Sequence, residues 1–183
     1  MNEAKYRSCV GALIFNQNNQ VLICKRSSKK KTAVGKWQFP QGGVEVEKNE
    51  DYYVAVQREI KEEVGLEPSI DTLKYVSKLQ NPLSYIYEDS PKSRSGGHIG
   101  QMIHWYLFYL PNDLIKTVNL NVEEEPEFEE CKWFGFEEFI NNNEMIVPFK
   151  KDMLHSLFLE SQPIINHYLE SVIDSSPPKQ LSQ

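Results

Sequence analysis

The chain has 183 residues, of which 40% are hydrophobic and 25% are charged. This balance is typical of a globular protein and predicts one domain over residues 1–173, because a disordered chain would contain fewer hydrophobic residues. No hydrophobic run is long enough to span a bilayer, and no apolar stretch follows the first residues. We therefore expect a cytoplasmic protein with no membrane partner. The net charge of −6 argues against a protein that binds genomic DNA, since such proteins are usually basic overall.

The charges are distributed unevenly along the chain. Residues 1–36 contain eight Lys and Arg against one acidic residue, a balance of +7, whereas the other 147 residues carry 12 basic and 25 acidic residues. This asymmetry suits a small polyanion bound between a basic surface and an acidic, metal-binding surface. Four of the six lysines in residues 1–36 lie in 27–36, which we predict to be a loop, and a solvated hairpin tip would have the same composition.

The cysteines predict no disulfide and no zinc site. Cys9, Cys24 and Cys131 are odd in number and far apart in sequence. We expect them to be reduced thiols, as is usual for proteins of the cytosol.

The first predicted elements are two strands, over 9–15 and 21–26, on either side of a turn. Apolar residues then recur at spacings of three and four, which predicts a helix over 49–64. Asn49 is the expected N-cap of this helix, and Gly65 is the expected stop.

The second half of the chain continues the alternation of strands and helices. A long loop is expected over 81–100, and the segment 174–183 has the composition of a disordered tail. Strands interleaved with helices predict an α/β fold with α/β/α layers. The remaining elements are strands at 74–80, 102–110 and 130–136, a helix starting at 136 and a helix over 148–173.

Three carboxylates lie on one face of the first helix. Glu59, Glu62 and Glu63 stand at positions i, i+3 and i+4, where their charges repel one another. The spacing is equally compatible with a solvated acidic face and with a site for a hard divalent cation, which prefers oxygen ligands.

The wider pattern separates these interpretations. Gly43, Glu50 and the run Arg58-Glu59-Ile60-Lys61-Glu62-Glu63-Val64-Gly65-Leu66 resemble the Nudix box. The second half of the box matches at every fixed position. The first half has one extra residue between Gly43 and Glu50, in the loop before the helix, where an insertion costs little.

The resemblance implies a loop–helix–loop within an α/β/α sandwich that binds Mg²⁺ or Mn²⁺. In the Nudix family, a metal-activated water attacks a phosphorus of a nucleoside diphosphate that is linked to another group. By position, Glu59, Glu62 and Glu63 would be metal ligands. Arg58 would be structural and would pair with a box carboxylate, and the other structural positions of the box would be Gly43, Glu50 and Gly65.

Shorter motifs look like one branch of the family, which holds diadenosine tetraphosphate hydrolases and the bacterial RNA pyrophosphohydrolase. They are Tyr6-Arg7, the run 37–43, Gly100-Gln101 and the run 105–107. The branch has a further glutamate at its metal cluster, and the matching residue is Glu127, either as a ligand or as the base. Six of the eight residues over 123–130 are acidic, so a solvated loop is the competing interpretation.

The same branch suggests which residues bind substrate. Tyr85 and Tyr87 lie where an aromatic stacks on adenine, although they could be ordinary residues of a strand end. Three basic residues could pair with the outer phosphates or could simply be solvated: Arg7, Arg26 and Lys36. Gln41 falls within the branch motif.

The expected function is a Mg²⁺-dependent pyrophosphohydrolase acting on a nucleoside polyphosphate, first of all on diadenosine tetraphosphate to give ATP and AMP. One alternative is hydrolysis of 5′-triphosphorylated RNA, with the basic segment 25–36 binding the strand. Others are an inositol pyrophosphate hydrolase and a nucleotide-sensing module without catalysis. The predicted partner is a small-molecule polyphosphate or an RNA 5′ end, and no protein partner is predicted.

Overall fold

The computed structural model describes residues 5–88 and 97–174, except for the side chains of residues 5, 173 and 174. Within these ranges the chain forms one mixed sheet and three α-helices. The strands are β1 (Lys5–Phe15), β2 (Gln20–Arg26), β3 (Trp37–Gln38), β4 (Gln41–Gly43), β5 (Lys74–Lys78), β6 (Leu83–Ile86), β7 (His98–Tyr109) and β8 (Phe128–Gly135). The helices are α1 (Tyr52–Val64), α2 (Phe136–Asn141) and α3 (Lys151–Asp174), with short 3₁₀ turns at Val46–Lys48, Asn112–Thr117 and Pro148–Lys150.

The sheet is organised around a long parallel pair. β1 and β7 run in register from Tyr6 opposite Gly100 to Phe15 opposite Tyr109, and the other pairings are antiparallel. The strand order is β3-β2-β1-β7-β5, with β8 beside β2, β4 beside β1 and β6 beside β7. The two central strands therefore hold the N-terminal and C-terminal halves of the chain together.

The helices cover both faces of this sheet. Alternate residues of β1 point to opposite faces, so Leu13 packs with α2 and α3 while Ile14 packs with α1. Val56, Ile60 and Val64 of α1 are fully buried. They form a buried stripe along the helix, as the spacing of three and four between apolar residues predicted. The predicted α/β/α fold class is confirmed.

The first helix begins later than predicted. Its N-cap is Asp51, whose carboxylate accepts hydrogen bonds from the backbone N–H groups of Tyr53 at 2.8 Å and Val54 at 3.4 Å. Asn49 instead ends the preceding 3₁₀ turn with φ of +53°, so its prediction as the N-cap was wrong. The turn lies between Gly43 and Glu50, within the box loop. The predicted helix end at Gly65 is confirmed, with φ of +68°.

The predicted loop over 81–100 was wrong in part. Strand β6 lies within it and pairs with β7, which starts at His98. Four residues are too few to show the alternation of hydrophobic and polar side chains that predicts a strand, so β6 is recognised only by its pairing with β7. Residues 89–96 of that loop and 175–183 of the predicted tail lie outside the described residues, whereas Asp174 still belongs to α3.

The prediction of reduced thiols was also wrong for two of the three cysteines. Cys24 in β2 and Cys131 in β8 lie directly opposite each other and form a disulfide. Cys9 is free and buried. The partners are 107 residues apart in sequence, so only the pairing of the strands brings them together.

None of the helices in the described part of the chain has both the length and the apolar character needed to cross a bilayer.

Candidate active site

A cleft of about 990 Å³ opens beside α1 and β4. One side, the acidic wall, consists of Gln41, Gly42, Gly43, Glu59 and Glu63. Another part of the lining, the basic wall, consists of Arg26, Thr32, Ala33 and Lys36. The cleft is also lined by Arg7, Tyr85, Tyr87, Gln101 and Glu127 and by the segment 147–150. Among the predicted site residues, Glu50, Arg58, Glu62 and Gly65 do not line it.

Arg58 links the loop of the box to helix α1 through hydrogen bonds. Its guanidinium donates to the Glu50 carboxylate at 2.8 and 3.0 Å and to the carbonyl of Gly43 at 2.9 Å. It also donates to Glu59 at 2.7 Å and to Glu62 at 3.1 Å. The hydrogen bond from Arg58 lowers the pKa of Glu50, despite opposing burial. The extra residue in the loop therefore does not separate Glu50 from Arg58.

Glu59 and Glu63 are buried carboxylates that face the cleft. Glu63 accepts a hydrogen bond of 2.8 Å from the backbone N–H of Gln41. The Glu59 carboxylate lies against Gly42, where any Cβ atom would collide with it. Burial raises the pKa of both groups, and the charge of Glu59 raises that of Glu63 further. Two such carboxylates would be stabilised in the ionised form by a bound cation.

The other two predicted ligands are held by cationic side chains. Glu62 has 40% of its side chain exposed and pairs with Arg58 at 3.1 Å. Glu127 pairs with Arg26 and, at 3.1 Å, with Lys30. No cluster of three potential ligands from His, Cys, Asp and Glu is arranged around one point in the described ranges. The metal-ligand roles of all four glutamates remain predictions.

The donor set nevertheless fits a hard divalent cation in its chemistry. The predicted ligands are all carboxylate oxygens, and the buried pair Glu59 and Glu63 is not fully neutralised by its cationic neighbours, since both pKa values remain raised. Binding by Glu127 would require that carboxylate to leave Arg26 and Lys30.

The predicted phosphate-binding bases lie in or around the cleft. Arg7 is an exposed residue whose guanidinium lies over Gly43, so close that a Cβ atom there would clash with it. Arg26 donates from Nε to the carbonyl of Thr32 at 2.7 Å, and Lys36 donates to the carbonyl of Glu144 at 2.7 Å. These backbone contacts orient the two basic side chains of the wall, of which Arg26 is also paired with Glu127.

The predicted aromatic residues differ in their exposure. Tyr85 is only 6% exposed, its hydroxyl donates to Gln101 Oε1 at 2.6 Å, and Gln41 donates to the same oxygen at 3.0 Å. The ring of Phe149 lies 5.4 Å from that of Tyr85. Tyr85 thus forms part of the floor of the cleft. The half-buried Tyr87 has the more accessible ring, on which a nucleobase could stack.

Sequence analysis missed Phe149 and Lys150 as cleft residues. Lys150 Nζ lies 5.1 Å from the centroid of the Tyr85 ring. Burial and, to a lesser extent, the charge of Arg26 lower the pKa of Lys150 to about 8. Neither residue belongs to a local motif, because both precede α3 and reach the cleft only through the packing of that helix.

Together these features describe a site for a phosphate-rich anion. The basic groups of the lining can neutralise phosphates, and its carboxylates can hold the divalent ions that polarise a phosphorus–oxygen bond. Comparison with known proteins agrees with this chemistry.

The model of the NUDIX domain family matches residues 5–157. A Haemophilus influenzae protein named RNA pyrophosphohydrolase is 34% identical over 165 residues, which cover 87% of this chain and 76% of that protein. Two solved structures share the fold: a MutT protein from Methanosarcina mazei (TM-score 0.57, 21% identity, 88% of this chain and 99% of that one) and a Caenorhabditis elegans Ap4A hydrolase (TM-score 0.51, 20% identity, 82% and 97%).

Members of this family generally use divalent metal ions, in agreement with the buried carboxylates of the acidic wall. The match spans the strands and helices that build the cleft. The chain belongs to the Nudix family and is a Nudix pyrophosphohydrolase.

Proposed function

We propose that this enzyme removes pyrophosphate from the 5′ end of triphosphorylated RNA. The observation that carries the proposal is its 34% identity, over most of both chains, to a protein named RNA pyrophosphohydrolase. Water would attack a phosphorus of the 5′-triphosphate, so that the products are 5′-monophosphate RNA and inorganic pyrophosphate. This replaces diadenosine tetraphosphate as the first-choice substrate.

The charge distribution in the cleft supports this reaction. A 5′-triphosphate is strongly anionic, and the basic residues Arg7, Arg26, Lys36 and Lys150 surround the space in which it would lie. Charge-assisted hydrogen bonds from guanidinium groups orient phosphates well, because the donors form a planar fork. In this proposal these residues bind and orient the phosphate chain.

The carboxylates of the acidic wall, together with Glu62 and Glu127, support the chemical step. Glu59, Glu62, Glu63 and Glu127 are the proposed holders of Mg²⁺, with Mn²⁺ as an alternative. A bound divalent ion lowers the pKa of a coordinated water and stabilises the charge that develops on phosphate oxygens. Glu127 is either a ligand or the base that removes the water proton, and in both roles it must first release Arg26 and Lys30. Arg26 then becomes available to a phosphate.

The accessible ring of Tyr87 supports a second candidate, the asymmetric hydrolysis of diadenosine tetraphosphate, in which this ring would stack on an adenine. Tyr85 suits that role less well, since Phe149 and Lys150 cover its ring. An inositol pyrophosphate would use the basic residues but leave the aromatic residues without a role.

A parallel assay tests the proposal. The purified protein is given 5′-triphosphate RNA and diadenosine tetraphosphate with Mg²⁺, with Mn²⁺ and with a chelator, and the products are separated by chromatography. We expect monophosphate RNA and pyrophosphate, with no turnover in the chelator. ATP and AMP from the dinucleotide, with the RNA intact, would transfer the function to the second candidate.

We also propose a cytoplasmic location, because newly made transcripts with triphosphate ends are intracellular. Fractionation of cells, with a cytosolic marker enzyme as the reference, tests this location. Recovery of the protein with the membrane or extracellular fraction would contradict it.

A further inference from the structure

The basic wall continues beyond the cleft into a loop whose charge is only partly compensated. Six cations lie between residues 25 and 36, with no acidic residue among them. Their ion pairs use only two carboxylates: Glu129 pairs with Lys25, and Glu127 pairs with both Arg26 and Lys30. The loop therefore keeps an excess of positive charge next to the cleft.

This excess is concentrated at two positions. Lys29 and Lys31 are exposed on either side of the half-buried Lys30. Across residues 5–88 and 97–174, neither of them forms an ion pair, although Lys30 contacts the carbonyl of Glu125, the last of the three exposed acidic residues 123–125. Lysines without a partner are available to an external anion.

The loop is held in a defined conformation by its own contacts. Lys30 Nζ donates to the carbonyl of Glu125 at 3.1 Å, and the backbone N–H of Ser27 donates to the carbonyl of Glu127 at 2.9 Å. The backbone N–H of Arg26 donates to the carbonyl of Lys36 at 2.8 Å and closes the loop at its base. The two free lysines are thus presented from a fixed backbone, which reduces the entropy lost on binding.

The lysines lie within a short distance of the cleft. Thr32 and Ala33 line the cleft, Lys31 precedes Thr32 directly, and Lys29 is three residues before it. Three residues span at most about 10 Å, which matches the rise of about three stacked nucleotides. A strand that leaves the cleft over the basic wall reaches both lysines within its first few nucleotides.

We propose that Lys29 and Lys31 bind the sugar–phosphate backbone of a single-stranded RNA downstream of a 5′ end that occupies the cleft. This inference rests on the proposed function and adds a second contact region to it, one that a mononucleotide or dinucleotide substrate does not reach. It makes the enzyme prefer a longer RNA over a triphosphorylated dinucleotide, without reading the base sequence.

The test compares two substrates and two charge-matched variants. The variant Lys29→Gln/Lys31→Gln removes the proposed contact, and the control Lys74→Gln/Lys78→Gln removes two charges from β5, which does not line the cleft. The substrates are a 5′-triphosphate dinucleotide and a 5′-triphosphate octanucleotide, assayed over a series of salt concentrations.

We expect the loop variant to lose about fivefold or more in kcat/KM on the octanucleotide at low salt and nothing on the dinucleotide. Its plot of log kcat/KM against log salt should become shallower by about 1.4, since each phosphate contact to a single strand contributes about 0.7. The control should match the unaltered protein. Equal losses on both substrates, or no loss beyond that of the control, would overturn the proposal.

Binding separates a failure of this inference from a failure of the proposed function. If the unaltered protein leaves triphosphate RNA intact, the proposed function fails, but fluorescence anisotropy with the labelled octanucleotide still tests the lysines. Weaker, less salt-dependent binding by the loop variant alone would support the contact. Identical binding by the loop variant and the control would reject it.

Discussion

The two walls of the cleft differ in how far apart in sequence their parts lie. The acidic wall is built from residues 41–63, and Arg58 ties its loop and helix together over at most 15 residues. The basic wall depends on Glu127, which is 101 residues from Arg26, and on the neighbouring disulfide between β2 and β8. A wall built from local contacts can be predicted from a motif, whereas a wall built by strand pairing cannot.

The largest expected effect concerns the three predicted metal-binding carboxylates of α1. Each of the variants Glu59→Gln, Glu62→Gln and Glu63→Gln should lower the turnover number by about 10²-fold or more, because each removes a charge that holds the metal next to the phosphates. The control is Glu67→Gln, an exposed residue that pairs with Lys61 just beyond the same helix. Steady-state kinetics and circular dichroism provide the measurement. A fully active Glu62→Gln enzyme would remove that exposed residue from the ligand set.

The next effect concerns the support of the basic wall. Under non-reducing conditions, Cys131→Ser should lower the free energy of unfolding by about 2–4 kcal/mol, because it opens a long covalent loop in the unfolded chain. Denaturation in urea, with and without a reductant, measures this difference. The reductant should bring the unaltered protein down towards the variant. A midpoint that does not respond to the reductant would show that the disulfide does not stabilise this wall.

The matching test of the acidic wall is Arg58→Met. We expect it to lower the free energy of unfolding by about 2–3 kcal/mol, because the partly buried carboxylates of Glu50 and Glu59 lose their partner. Arg58→Lys keeps the charge but not the planar fork, so it should recover only part of the loss. Equal stability of the methionine variant and the unaltered protein in thermal unfolding would contradict this role.

Lys150 adds a pH-dependent effect at the cleft. Burial and the charge of Arg26 lower its pKa from 10.5 to about 8, so the unfolded chain binds this proton more tightly than the folded chain does. The cost of burying the ammonium is therefore full below pH 8 and disappears as the pH rises towards 10.5. Lys150→Met should raise the free energy of unfolding by about 1–2 kcal/mol at neutral pH, a gain that shrinks in alkali. A gain independent of pH would indicate better packing instead.

The smallest expected effect concerns the start of α1. Asp51→Ala should lower the free energy of unfolding by about 1 kcal/mol, because the N–H groups of Tyr53 and Val54 lose their acceptor. Asn49→Gly should cost nothing, since glycine accepts the positive φ of that position. The opposite ranking in thermal unfolding would restore Asn49 as the cap.

The sequence alone predicted the parts of this protein that repeat a local pattern. The buried stripe of α1, its end at Gly65 and the α/β/α fold class followed from hydrophobic spacing and the Nudix box. Local predictions were imprecise where two nearby residues could serve equally well, as with Asn49 and Asp51 at the helix start.

Only the tertiary structure decided which distant residues meet. It joined Cys24 to Cys131, placed Lys150 over Tyr85, and paired Glu127 with Arg26. It also separated Glu62, which is exposed, from the buried Glu59 and Glu63 of the same helix face. The physical reason is that helical periodicity determines which neighbouring side chains share one face of a helix. Contacts across the cleft depend instead on the register of strands that are far apart in sequence.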